Sequence, residues 1–217
     1  MLLGDVGTSY TKILDIEKGE YRVIRTLDLL KSDIRFDMAC GHNAKLKADK
    51  VVNELVALEK GSRRLIGNGN FLVVDVGSRD IKYVRMKGSK YEEMDWNALC
   101  GATLGFSIEL LENHFNLNTS ELEKASESLG VTCGVLGMAK IFDKISDGCE
   151  ISNVLASFVK GIAENVHRFI DEPEFFYLSG GLCNNSLFIK SFDCKVEPLG
   201  RFVLLEGLRE FEDTGAG

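Results

Sequence analysis

Apolar and polar residues recur with two different periods along this chain, and the changes of period mark out its elements. Leu2-Leu3 and Phe71-Leu72-Val73-Val74 are short apolar runs that each enter an Asp-Val-Gly tripeptide, and apolar or β-branched residues resume a few positions later. That pattern predicts strand, tight turn, strand, twice. Ala44 to Glu59 carries Leu46, Val51, Val52, Leu55, Val56 and Leu58 and predicts a helix, with Gly61 as its left-handed cap. Gly67-Asn68-Gly69-Asn70 reads as a turn into the second Asp-Val-Gly strand.

Helical spacing dominates the second half. Cys100 to Phe115 and Gly134 to Ser146 each predict a helix, and Ser120-Glu121-Leu122-Glu123 has the capping-box spacing that starts a short one. Ile151 to Ile170 is the longest, with Ile151, Val154, Leu155, Phe158, Val159, Ile162, Val166 and Phe169 on one wide face. Phe175-Phe176-Tyr177-Leu178 predicts a buried strand that breaks at Ser179-Gly180-Gly181 into another helix. A strand near Cys194 to Glu197 and a helix from about Arg201 to Phe211 close the chain. With only two prolines, Pro173 and Pro198, the helical patterns run unbroken. Strand-turn-strand units followed by helices predict an α/β fold with mixed sheets.

Composition narrows the function classes. A length of 217 residues with 45% apolar content fits one large domain or two small ones. A formal charge of −7 argues against nucleic acid as the main partner, because neutralising phosphates takes clustered Lys and Arg. No apolar run approaches the roughly 20 residues of a membrane span. The N-terminus enters a strand pattern at once, without the basic-then-apolar layout of a secretory signal, so a cytoplasmic location is expected. The six cysteines (Cys40, Cys100, Cys133, Cys149, Cys183 and Cys194) include no Cys-x-x-Cys pair. Most are expected to be buried free thiols that pack as small hydrophobes.

The two tripeptides open one eight-residue pattern. Asp5-Val6-Gly7-Thr8-Ser9-Tyr10-Thr11-Lys12 and Asp75-Val76-Gly77-Ser78-Arg79-Asp80-Ile81-Lys82 share Asp, Val, Gly, a hydroxyl residue and Lys at matching offsets. Gly7 and Gly77 let the backbone turn its N–H groups onto phosphate oxygens. Thr8, Ser9 and Ser78 offer hydroxyl donors, and Lys12 and Lys82 offset phosphate charge or face solvent. Asp5 and Asp75 stand where a carboxylate can hold Mg²⁺ or orient a water. Taken singly, each Asp-x-Gly is an ordinary turn. A third glycine element, Ser179-Gly180-Gly181-Leu182-Cys183-Asn184-Asn185, follows a strand and opens a helix. Such a turn suits the approach to a purine, with Asn184 and Asn185 available to ribose or base, or simply capping the helix.

Two Asp-Gly hairpins and a late Gly-Gly turn in this order resemble the actin/Hsp70/sugar-kinase superfamily. The resemblance implies an actin-like (ribonuclease H-like) ATPase fold of two mixed-sheet subdomains with a nucleotide cleft between them. It places residues 1–68, with the returning C-terminal helix at about 205–217, in one subdomain and residues 69–204 in the other. Two further segments are more particular. Cys100-Gly101-Ala102-Thr103-Leu104-Gly105-Phe106-Ser107-Ile108-Glu109 and Cys133-Gly134-Val135-Leu136-Gly137-Met138-Ala139 resemble the cysteine segments of the BadF/BadG/BcrA/BcrD ATPase family. That family includes the activase (archerase) of 2-hydroxyacyl-CoA dehydratases. Met38-Ala39-Cys40-Gly41 stands near the family's Thr-Gly-Tyr-Gly stretch, so the resemblance covers nearly the whole chain.

The resemblance implies a site and a mechanism. Cys100 and Cys133 would ligate one 4Fe–4S cluster across a homodimer, since a cluster takes four thiolates and each chain offers two. ATP and Mg²⁺ would be held by Asp5, Gly7, Thr8, Ser9, Lys12, Asp75, Gly77, Ser78, Arg79, Gly105, Gly180, Gly181, Asn184 and Asn185. An electron from ferredoxin or flavodoxin would pass, driven by ATP, to a metalloenzyme partner. The chain departs from the family at Ser78-Arg79, where Gly-Gln is usual, and at Thr103-Leu104-Gly105, which keeps one glycine of a richer turn. Two alternatives stand beside this reading: a small-molecule kinase of the same fold, and a regulatory protein that binds nucleotide without hydrolysing it.

Overall fold

The computed structural model describes residues 1–97, 104–131 and 134–213. Each Asp-Val-Gly hairpin lies at the heart of its own five-stranded sheet. In the first, β1 (Leu2–Val6) pairs antiparallel with β2 (Tyr10–Asp15), and β2 with β3 (Glu20–Arg25). A short helix α1 (Thr26–Leu30) leads to β4 (Phe36–Cys40), which runs parallel to β1 and to β5 (Ala48–Val51). The order is β3-β2-β1-β4-β5.

The second sheet is built from β6 (Phe71–Val76), β7 (Ile81–Lys87), β8 (Lys90–Asn97), β9 (Phe175–Ser179) and β10 (Lys195–Gly200). Its order, read from one edge, is β8-β7-β6-β9-β10. Adding five to each strand number of the first sheet gives the second. The repeat that the sequence shows in eight residues therefore extends to whole sheets. The two copies differ in what separates the third strand from the fourth. One has only α1, whereas the other holds α3 (Gly105–Phe115), α4 (Gly134–Ser146) and α5 (Ile151–Phe169).

The chain divides into two compact units. One comprises Met1–Val73, Tyr83–Asp95 and the chain from Leu199 onward; the other comprises Val74–Lys82 and Trp96–Pro198. In the first unit Val6, Ile13, Leu29, Phe36 and Ala39 form a buried core around β1. Helix α2 (Glu54–Ile66) packs on α7 (Val203–Asp213) in the same unit. In the second, α5 buries Val154, Leu155, Phe158, Val159, Ile162 and Val166, as its periodicity predicts. Helix α6 (Ser186–Ser191) follows the Gly-Gly turn. Among the described residues, no helix is long and apolar enough to cross a membrane.

Two expectations are corrected. The helix predicted over 44–59 is instead a 3-10 turn (Ala44–Leu46), strand β5, and a helix that begins only at Glu54. Asn53 caps it, its side chain accepting from Leu55 N, and Gly67 at φ 95° ends it. The apolar pair Val51-Val52 belongs to strand pairing beside β4, where β-branched residues fit well. Gly61 consequently lies inside α2, where a Cβ would stand 1.9 Å from Val203 O; Gly207 mirrors it, with a Cβ 1.8 Å from Ala57 O. With no side chain at Gly61 or Gly207, the two helix backbones touch at that point. The Ser120 capping box does not start a helix either. Asn118 supplies the cap, accepting from Ser120 N, and a single 3-10 turn (Thr119–Glu121) results.

Candidate nucleotide site

In the first unit the hairpin is closed by a charge pair. Asp5 and Lys12 are direct cross-strand partners in the β1–β2 register. Lys12 Nζ donates to Asp5 Oδ2 at 2.6 Å, and both side chains are largely buried. Gly7 O, at the turn, accepts from Thr26 Oγ1 (2.9 Å) and Asn43 Nδ2 (3.1 Å). Gly41, just after β4, has φ 99° and lies so close to β1 that a Cβ would sit 2.6 Å from Val6 O.

The second unit repeats this geometry with different chemistry. Gly180, just after β9, has φ 89°, and its Cβ would lie 2.4 Å from Val76 O. Gly41 and Gly180 are thus equivalent: each brings the turn after the fourth strand onto the Asp-Val-Gly strand. Buried Asp75 accepts from Ser179 Oγ at 2.8 Å. Lys82, buried as well, donates to Asp80 Oδ1 at 2.9 Å. Tyr10 occupies the matching position of the first copy, and there the lysine bonds the tripeptide's own Asp instead.

A cavity of ≈ 210 Å³ opens beside this hairpin. Gly105, Ile108, Glu109 and Glu112 of α3 form one wall, Asn118 and Ser120 another, and Gly181, Leu182, Asn184 and Asn185 the third. The walls are bonded to each other. Thr119 donates through its N–H and its hydroxyl to Glu112 Oε1, at 2.9 and 2.6 Å. Asn185 Nδ2 donates to Thr119 Oγ1 at 2.7 Å, while Asn185 Oδ1 accepts from Phe188 N at 2.9 Å and caps α6. The start of α3 is tied to the hairpin turn: Gly105 N donates to Gly77 O (3.3 Å) and Phe106 N to Ser78 O (3.1 Å). A Cβ at Gly105 would meet Gly77 O at 3.1 Å.

The structure therefore gathers Gly105, Gly181, Asn184 and Asn185 around one cavity. Gly77 and Ser78 are bonded to its rim, and Asp75 is tied to the strand that leads into the Gly-Gly turn. Glycine backbones, amides and carboxylates around one cavity suit a group with a polar heterocycle and hydroxyls joined to phosphates. Glu109, Glu112, Asn118 and Ser179 stand outside the candidate set read from the sequence. Ser179 was legible as the residue before the Gly-Gly turn; Glu112 and Asn118 carry no local signal. The thiols Cys100 and Cys133 lie outside the described residues. Among those described, no group of three His, Cys, Asp or Glu could hold a metal ion. Cys40 and Cys183 are buried, and burial raises the pKa of Cys194, which is partly buried. Cys149, by contrast, is exposed.

No family model and no curated protein sequence matches this chain. Solved structures do. The activator of the 2-hydroxyisocaproyl-CoA dehydratase from Clostridium difficile, with bound ADPNP, superposes with a TM-score of 0.79 at 16% identity, over 100% of this chain and 96% of that one. The (R)-2-hydroxyglutaryl-CoA dehydratase component A from Acidaminococcus fermentans gives 0.71 at 16% identity, covering 95% and 93%. A candidate 2-dehydro-3-deoxygalactonokinase from Sinorhizobium meliloti gives 0.60 at 15% identity, covering 98% and 96%. At these identities the likeness establishes the fold: the actin-like ATPase fold that the hairpins and the Gly-Gly turn imply.

Proposed function

We propose that this protein is an ATP-dependent reductive activator, which passes an electron to a partner metalloenzyme of the dehydratase kind. The observation that carries the reading is the bonding of the β6–β7 hairpin to the helix that follows Cys100 in sequence, with the nucleoside-sized cavity beside it. It is supported by the end-to-end likeness to a dehydratase activator that holds ADPNP.

The residues divide the work. Gly77, Ser78 and Arg79 meet phosphate oxygens in the second unit, and Gly7, Thr8, Ser9 and Lys12 form the equivalent turn of the first. Asp75, held by Ser179, and Asp5, held by Lys12, are fixed carboxylates suited to a hydrated Mg²⁺ and to orienting a water. Glu109, Asn184 and the Gly180-Gly181 backbone take the nucleoside. Cys100 and Cys133, each just ahead of a helix, would hold a 4Fe–4S cluster only by joining the same pair from a second copy, so the reading entails a homodimer. Bound there, the cluster supplies a one-electron redox centre. The electron donor is a ferredoxin or flavodoxin.

Anaerobic reconstitution tests this directly. The wild-type protein should gain iron and sulfide in equal amounts, as a brown dimer that binds Mg-ATP by calorimetry. Cys100→Ser and Cys133→Ser should each stay colourless while keeping nucleotide. A colourless wild-type protein overturns the reading. The likeness to a sugar-acid kinase favours a second one, a small-molecule kinase. That reading expects ATP turnover stimulated by one metabolite and indifferent to both cysteine substitutions. A regulatory protein that binds nucleotide would show calorimetric binding with no turnover at all.

A further inference from the structure

Asp80 joins the hairpin to the chain's single tryptophan. Its Oδ1 accepts from Lys82 Nζ at 2.9 Å, and its Oδ2 accepts from Trp96 Nε1 at 3.1 Å. Lys82 Nζ also lies 5.6 Å from the centroid of the Trp96 ring, within the range of a cation–π contact. The three side chains close a triangle inside the second unit. Asp80 stands against the turn as well: a Cβ at Gly77 would lie 3.4 Å from Asp80 Oδ1, and Gly77 N donates to Asp80 O at 3.0 Å.

The placement of Trp96 gives this triangle a purpose. Trp96 stands four residues before Cys100. On the other side of positions 98–103, Gly105 and Phe106 donate to Gly77 O and Ser78 O of the same hairpin turn. Described residues on both flanks of Cys100 are thus bonded to one turn. An anion seated on the turn at Ser78 attracts the Lys82 ammonium and repels the Asp80 carboxylate at close quarters. Any such change in Asp80 is passed to the indole N–H it holds.

We propose that Asp80 is a positioning residue that transmits phosphate occupancy of the Gly77–Ser78 turn to Trp96, with Lys82 as the counter-charge exchanged between them. The inference rests on the nucleotide reading of this hairpin and adds to it the route by which the bound state is reported towards Cys100. It needs no cluster for its test.

Because the chain has one tryptophan, indole emission reads a single position. The purified full chain is titrated with a non-hydrolysable Mg-ATP analogue, following indole fluorescence and calorimetry in parallel. The expected result is an emission change that saturates along the calorimetric isotherm in the wild-type protein. In Asp80→Asn the emission change should be lost at saturation, as judged by that variant's own isotherm. Asp80→Ser serves the same purpose if Asp80→Asn does not fold, with circular dichroism as the check. Nucleotide binding without an emission change in the wild-type protein overturns the inference and leaves the nucleotide reading standing. An emission change that persists undiminished in the Asp80 variant also overturns it. No calorimetric binding at all overturns both.

Discussion

Ser179 Oγ donates to Asp75 Oδ2 at 2.8 Å, across 104 residues of sequence and between neighbouring strands of one sheet. The bond anchors a buried carboxylate at the mouth of the hairpin and fastens it to the strand that delivers the Gly-Gly turn. The matching position in the first unit, opposite Asp5 in the β1–β4 register, is Cys40. There the carboxylate is anchored by Lys12 instead. Ser179→Ala should therefore destabilise the protein by about 1.5–3 kcal/mol, the usual worth of a hydrogen bond to a charged group. Urea unfolding measures it. Mg-ATP affinity should fall in the same variant, because the Asp75 side chain loses its anchor.

Gly180 and Gly148 share φ 89°, yet a Cβ at Gly180 would lie 2.4 Å from Val76 O whereas none of the chain approaches within 4 Å at Gly148. Both Gly→Ala variants incur backbone strain of about 1–3 kcal/mol. Only Gly180→Ala also drives the turn away from β6. The excess destabilisation of Gly180→Ala over Gly148→Ala, measured by chemical denaturation, isolates that close approach. Equal losses in the two variants would show that the packing at Val76 contributes nothing.

The α2–α7 contact gives a second packing test. Helix propensity alone would make Gly61→Ala stabilising by about 1 kcal/mol. Overpacking of a filled interface costs about 1–3 kcal/mol and sometimes more. With a Cβ 1.9 Å from Val203 O, the clash dominates, so Gly61→Ala should lower the urea midpoint. Gly207→Ala should do the same. The double variant should lose less than the sum, since one displacement of the helices relieves both clashes.

Tyr21 provides a pH-dependent readout of the same region. Its hydroxyl donates to Glu206 of α7, beside the Arg64–Glu206 ion pair at 3.0 Å. Burial first, and then the Glu206 carboxylate, raise its pKa above the ordinary tyrosine value. A group with a raised folded-state pKa stabilises the fold fully below its unfolded value, about 10 for tyrosine, and loses that contribution as pH rises through the folded value. The wild-type protein should lose stability through the alkaline range above about pH 10 more steeply than Tyr21→Phe. Parallel pH–stability curves from urea titrations would refute this account.

Much of the local architecture follows from the order of residues alone. A short apolar run, a glycine at the strand end, a hydroxyl residue after it and apolar residues resuming a few positions on mark a hairpin, and the pattern occurs twice, so both Asp-Val-Gly turns are visible in the chain. The broad apolar face of α5 is equally self-evident, because helical period and burial coincide along one continuous segment. Val51-Val52 misleads because a β-branched pair satisfies either period; β4 alongside decides for strand. Gly61 resembles a helix end until Gly207 approaches it from α7, a partner invisible at that distance in sequence. The two lysines make the same point chemically. Lys12 and Lys82 hold one position in the repeat, but each bonds the carboxylate that the packed structure brings within reach, Asp5 for one and Asp80 for the other. Short-range patterning set the two Asp-Val-Gly hairpins and α5 by itself. Only the folded sheet, by choosing which strand and which helix start lie beside each turn, determined that Asp75 is held by Ser179 and that Trp96 is held by Asp80.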